Sequence, residues 1–160
     1  MSEAGDGGAA APFFIHHPDP DNPGWHVWEL SDPTRFNASL GRFRVRMEPD
    51  GRVRVRTRPE HRHSNVAGAL HGGALLGYID IALFAAARMH GIIEAGKAVT
   101  LDLSVQFIAP GAVDAPLDLV IEILRETGRL LFLRGLVEQG EGAAPVAGFS
   151  GTIRKPERAR

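Results

Sequence analysis

The chain has 160 residues, 23% of them charged, with a formal net charge of -1 and no cysteine. That length suits one domain with a core of its own, and the near-neutral balance gives no electrostatic reason to expect nucleic acid. Without cysteine there are neither disulfides nor thiolate metal sites, which is compatible with a reducing compartment.

Met1 to Pro12 is rich in Gly and Ala and is expected to be a disordered tail. It has no basic n-region and no extended apolar core, so no secretion signal is read and the cytoplasm is the expected location. The next segment, PFFIHHPDPDNPGWHVWEL, is too Pro-rich for a long helix or a central strand, yet it carries Phe13, Phe14, Ile15, Trp25 and Trp28. It reads as an arm whose apolar side chains dock on the domain or on a partner subunit; a sharper reading makes Trp25 and Trp28 a cover over an apolar pocket. From Ser31 to Gly41 the pattern predicts a short helix, with Ser31 or Asp32 as cap and Pro33 in the first turn.

The period then changes to two. Phe43, Val45 and Met47 alternate with arginines, as do Val53, Val55 and Thr57 after the turn at Pro49-Asp50-Gly51. This predicts a β-hairpin with one apolar face and one arginine face. Without interleaved aromatics, seven arginines at alternate positions read as a solvated face that blunts edge-to-edge pairing. His61 and His63, in a polar loop with no further ligands nearby, read as solvated rather than metal-binding.

The stretch from Asn65 to His90, NVAGALHGGALLGYIDIALFAAARMH, organises the rest. Small residues at His71-Gly72-Gly73 open a helix that is apolar on nearly every face, so it is expected to be buried along its length. Fewer than the roughly 20 apolar residues of a bilayer span are present, and Asp80 interrupts them, which excludes a transmembrane reading. A carboxylate there is costly unless it is hydrogen-bonded, has a raised pKa or is held for chemistry. The helix start offers unpaired N–H groups to a developing anion, and Gly72 allows close approach to the backbone.

Gly91 and Gly96 mark the helix exit. Val99, Leu101, Leu103, Val105 and Phe107 then form one alternating face, ended by Pro110-Gly111. Leu117, Leu119, Ile121 and Ile123 form another, with a turn at Glu126 to Arg129. LLFLRGLVEQ and PVAGFSGTIRK complete the set. A hairpin, one long helix and three or four further strands imply an α+β domain with an antiparallel sheet around the helix.

Asn65, His71-Gly72-Gly73, Asp80, and a strand opening Thr100-Leu101-Asp102 and ending Phe107-Ile108-Ala109-Pro110-Gly111 resemble the hotdog-fold acyl-CoA thioesterases of the phenylacetate-pathway and 4-hydroxybenzoyl-CoA type. The resemblance covers roughly Phe36 to Lys155. It implies a hotdog domain over 31–155, preceded by a flexible tail and arm over 1–30 and followed by a short tail at 156–160. It further implies that Asp80 is general base or nucleophile and that the Gly72 N–H polarises the thioester carbonyl. Asn65 and His71 would shape the turn and hold the thioester or water, and Thr100 would lie near the attacking water. Gly73, Phe84, Phe107 and Pro110 would line the substrate, and Arg129, Arg154 and Lys155 would meet the nucleotide phosphates. Phe84, one turn after Asp80, stands where some relatives carry a small hydroxyl residue, which reshapes the acyl pocket.

The expected activity is hydrolysis of acyl-CoA to free acid and CoA, with no metal or redox cofactor and no nucleic-acid or membrane partner. The alternatives are a non-catalytic acyl-CoA-binding module and a hotdog hydratase acting on acyl thioesters. A geometric argument adds an oligomer. Asp80 lies eight residues beyond Gly72, about 12 Å along the helix axis, so one thioester carbon cannot touch both groups on one helix. Two helices packed antiparallel across a two-fold axis resolve the conflict, so a homodimer or a dimer of dimers (a homotetramer) is expected.

Overall fold

The computed structural model describes residues 14–94 and 98–156. The expectations for Met1 to Pro12, Phe13 and Gly96, and for most of the C-terminal tail, lie outside the described residues. Eight strands are described: β1 Phe14–Pro18, β2 His26–Leu30, β3 Phe43–Met47, β4 Val53–Thr57, β5 Val99–Phe107, β6 Leu117–Glu126, β7 Leu130–Glu138 and β8 Pro145–Arg154. They form one sheet in the order β1-β2-β3-β4-β6-β7-β8-β5, and every neighbouring pair is antiparallel. The helix α2, Gly72–Met89, packs on the sheet against β3, β4, β5, β6 and β8. This is the α+β hotdog architecture that the resemblance implied.

Inward apolar residues repeat with period two along β3, β4 and the first half of β6, and Val45, Val53, Val55, Leu117, Leu119, Ile121, Leu131 and Ile153 are fully buried. Each such aliphatic stabilises the fold by about 1.5–3 kcal/mol, so a one-residue slip that turned a strand over would be prohibitive. Close seating of α2 also needs Gly151, where an added Cβ would come within 2.5 Å of Leu83 Cδ1.

By length and hydropathy α2 matches a membrane span, yet half of it is buried inside the domain. It is not buried along its whole length. Gly73 and Leu76 are exposed, and Gly77, Asp80, Phe84 and Arg88 are half-buried, leaving one stripe that the sheet does not cover.

Four further expectations are corrected by the fold. The segment read as an arm is, over residues 14–30, a hairpin that adds β1 and β2 to the edge of the sheet. Trp25 and Trp28, an odd number of residues apart, take opposite faces. Trp28 joins the core under α2, whereas Trp25 lies beneath the guanidinium groups of Arg46 and Arg56 at 4.5 and 4.7 Å. The two tryptophans therefore do not form one cover. The helix predicted from Ser31 is reduced to α1, Phe36–Ser39, with Arg35 at its start. Asp32 instead accepts from the Thr34 N–H and hydroxyl in a local turn, the competition that keeps short polar side chains out of helix interiors.

The third correction concerns the arginine face, which is not a freely solvated edge. Because β1–β2 and β6 flank it, β3–β4 lies inside the sheet. Arg54, only 7% exposed, donates to Glu48 at 2.8 Å, Asp118 at 3.0 Å and Glu138 at 2.6 Å. Arg56 donates to both oxygens of the fully buried Asp118 at 2.6 and 2.7 Å. Buried ion pairs add little net stability, but separating the partners costs several kcal/mol, so the cluster penalises wrong registers of β3, β4, β6 and β7. The fourth is His63, which is buried rather than solvated. Its Nδ1 accepts from the Glu60 N–H at 2.9 Å, its Nε2 lies 2.9 Å from the Ser39 carbonyl, and its ring meets Tyr78 edge-on. Among the described residues no group of three His, Asp or Glu is arranged to hold a metal.

Candidate active site

The site begins with the turn before α2. Asn65 Oδ1 accepts from the N–H groups of Ala67 at 2.9 Å and Ala69 at 3.1 Å. The Asn65 N–H donates to the Ala69 carbonyl at 2.7 Å. These bonds close the turn around the Asn65 side chain. The turn is anchored from outside by Leu70 N–H to the Gly111 carbonyl and His71 N–H to the His63 carbonyl, both at 2.8 Å. Gln139 braces the same region through two bonds to the Ala112 backbone, at 2.7 and 2.9 Å. Gln139 was not singled out in the sequence and His63 reads there only as a solvated loop residue, since their roles depend on contacts between distant segments.

His71 is the N-cap of α2. Its Nδ1 accepts from the Gly73 N–H at 2.9 Å, which satisfies one of the orphan donors of the first turn. The Gly72 N–H is left without a partner among the described residues. Gly72 is half-buried beside Phe107, whose ring an added Cβ would approach to 3.3 Å. The geometry therefore offers a free N–H at the positive end of an 18-residue helix, next to an exposed aromatic ring.

Asp80 sits on the uncovered stripe of α2, half-buried, and its Oδ1 accepts from the Thr100 hydroxyl at 2.6 Å. Of the three resolutions open to a carboxylate in an apolar helix, the structure exhibits the hydrogen bond. A β-bulge makes the contact. The register of β5 against β8 shifts between Thr100 and Asp102, so the alternation predicted through Val99 and Leu101 does not persist. Those two are 41% and 54% exposed, and Thr100 takes the inward position opposite Ile153. Re-aiming one side chain near a site is a common use of a bulge.

The remaining residues are dispersed. Phe84, one turn beyond Asp80, is half-buried and walls a small cavity with Phe14 and Trp28. Phe107 and Pro110 are exposed at the far end of β5 and just beyond it. Arg129 and Arg154 are exposed, while Lys155 pairs with Glu126 at 2.5 Å and its N–H donates to the Arg129 carbonyl at 2.8 Å. Thus the structure joins Asp80 to Thr100, and Asn65, His71, Gly72 and Gly73 to one another. It does not join the two groups within one chain, because Gly72 and Asp80 are separated by about 12 Å of helix.

Comparison with known proteins matches the thioesterase superfamily model to residues 67–146, which contain α2 and β5. The chain belongs to the thioesterase superfamily. Solved structures agree on the fold. Thioesterase superfamily member 2 of zebra fish superposes with a TM-score of 0.65 at 20% identity, covering 78% of this chain and 88% of that one. A hypothetical thioesterase from Streptococcus pneumoniae, solved with coenzyme A, gives 0.62 at 22% identity, covering 73% and 88%. A mutant of the phenylacetic acid degradation protein PaaI from Thermus thermophilus gives 0.60 at 26% identity, covering 78% and 99%. No curated protein sequence matches the chain significantly.

Proposed function

We propose that this thioesterase hydrolyses acyl-CoA to the free acid and CoA, in a site that two copies of the chain build together. The observation that carries the reading is the hydrogen bond from Thr100 to Asp80, which orients the lone carboxylate of α2 on the stripe left uncovered by the sheet. The S. pneumoniae neighbour with bound coenzyme A supports CoA as the leaving group. In the proposed reaction, Asp80 takes the proton of an attacking water and returns it to the departing sulfur, or attacks the thioester carbon itself to form a mixed anhydride that water then hydrolyses, freeing the acid and restoring the carboxylate. The Gly72 N–H of the other copy holds the oxyanion, and collapse expels CoA thiolate, which is protonated as it leaves. One such donor contributes about 2.7–4 kcal/mol to transition-state stabilisation.

Two features support a second copy. An antiparallel pairing of two α2 helices would bring the free Gly72 N–H of one beside Asp80 of the other, which the separation of about 12 Å within one helix does not allow. In addition, β5 is an edge strand with Leu101 at 54%, Phe107 at 56% and the following Ile108 at 53% exposure. Edges of that composition are normally covered or blunted.

A panel of acyl-CoAs with a thiol reagent separates the readings, because only hydrolysis releases free CoA; a binding module releases none and a hydratase alters the acyl group without release. Asp80→Asn should lower kcat by orders of magnitude with the fold intact, and Asn65→Ala should be milder. The shared site is tested by complementation. Gly72→Pro removes the N–H at the first helical position, where proline is tolerated. His71 already has the extended backbone that precedes proline, with φ -67 and ψ 133. Gly72→Pro and Asp80→Asn should each be nearly inactive alone. Co-refolded in equal amounts, about half the dimers are mixed with one intact site of two, so about a quarter of parental activity should return. No recovery from subunits shown by sedimentation to have exchanged would refute the shared site.

A further inference from the structure

Asp80, Phe84 and Arg88 recur at every fourth residue and so lie along one stripe of α2. All three are half-buried, while Ile81, Ala82, Leu83, Ala85, Ala86 and Ala87 between them are buried. An arginine in the last turn of a helix is ordinarily a solvated complement to the helix dipole. Arg88 is not placed that way. Its guanidinium carbon lies 5.5 Å from the Phe14 ring centre and 5.4 Å from that of Trp28. Its Nη1 is buried and has no hydrogen-bond partner among the described residues. A buried cationic donor left unpaired is costly, and native structures rarely keep one without a use.

Beside it lies a cavity of about 30 Å³ walled by Phe14, Trp28, Phe84, Ile93 and Glu94, with Arg88 as a lining residue, large enough for one small polar head. Glu94 is exposed and makes no ion pair with Arg88. The cavity therefore has apolar aromatic walls and a cation whose donor is unused. That combination recognises a carboxylate at the end of a hydrocarbon chain.

We propose that Arg88 binds the distal carboxylate of an ω-carboxyacyl thioester laid along this stripe of α2, so that the preferred substrates are CoA esters of straight-chain dicarboxylic acids. The proposal rests on the reading of Asp80 as the reacting carboxylate. Hydrolysis then releases the dicarboxylic acid and CoA. Asp80 and Arg88 are about 12 Å apart along the axis, and a helical side chain leans back by up to about one 5.4 Å turn toward the N-terminus, leaving a span of roughly 7–12 Å. An acyl chain of about six to nine carbons fits that span, with Phe84 against its middle.

The test compares suberyl-CoA with octanoyl-CoA, which differ only at the distal end. Wild type should favour suberyl-CoA in kcat/KM by about tenfold or more, the usual scale of a charge-assisted hydrogen bond. Arg88→Met should lose that preference while octanoyl-CoA hydrolysis stays within about threefold. Calorimetry on Asp80→Asn protein, with and without Arg88→Met, reads the same preference as binding. If neither ester is cleaved but suberyl-CoA binds about tenfold tighter in an Arg88-dependent way, the hydrolase reading fails and the carboxylate subsite stands. If octanoyl-CoA is cleaved as well as suberyl-CoA, and Arg88→Met leaves their ratio unchanged, the subsite is refuted and the hydrolase reading stands. Loss of dimer or of thermal stability in Arg88→Met with an unchanged ratio also refutes it, since Arg88 would then pair within the protein.

Discussion

Thr100→Val is the most direct probe of how the carboxylate on α2 is held. Valine keeps the β-branched shape that suits β5 and removes only the hydroxyl that donates to Asp80 Oδ1 at 2.6 Å. A hydrogen bond to a charged acceptor contributes about 1.5–3 kcal/mol. If the bond orients Asp80 in the transition state, its loss lowers kcat/KM by about ten- to a hundredfold. Stability should change far less. Both partners are half-buried, so water can take the place of the hydroxyl, and the cost should stay near 1 kcal/mol, a Tm shift of about 2–4 °C. Thr100→Ser keeps the donor and should stay within a few-fold of wild type. The assay is thiol release from the best acyl-CoA of the panel, with Tm by calorimetry. A Thr100→Val protein with kcat/KM within twofold of wild type and normal Tm would show that the contact does not position the reacting group.

Tyr78 is fully buried, its hydroxyl has no partner among the described residues, and burial raises its pKa far above the ordinary tyrosine value. Tyr78→Phe keeps the edge-on contacts with Phe43 and His63 and removes an unpaired polar group worth about 1–3 kcal/mol. Its Tm should rise by several degrees; a fall would reveal a bond made by the hydroxyl. At the other end of the sheet, the bond from Arg44, with further bonds from Asn22 and the Asp21 N–H, lowers the Asp19 carboxyl from 3.8 to about 2 against the opposing effect of desolvation. A depressed folded-state pKa stabilises fully above the unfolded value, and that stabilisation is lost as pH falls from about 4 through 2. Asp19→Asn should therefore flatten the decline of Tm between pH 4 and 2, and an unchanged slope would remove Asp19 from the acid-unfolding limb.

Much of the fold was legible because its signals are local. The start of α2 follows from His71-Gly72-Gly73 and its apolar run, β3, β4 and β6 follow from period two between turn residues, and β7 and β8 from the two stretches that follow them. Asp80 stood out as the lone acid in that run. These features depend on neighbours within about four residues, so the chain determines them wherever it folds. What only the tertiary structure decided involves partners far apart in sequence. Arg54 reads as a solvated arginine until Asp118 and Glu138, 64 and 84 residues later, are placed beside it. The β1–β2 hairpin was obscured by prolines that are tolerable at a sheet edge. The bulge in β5 inverts the phase of the alternation, so Thr100 rather than Leu101 faces the helix. Strand register is a sum over the whole sheet, and it is register that turns a solitary Asp80 into a hydrogen-bonded one.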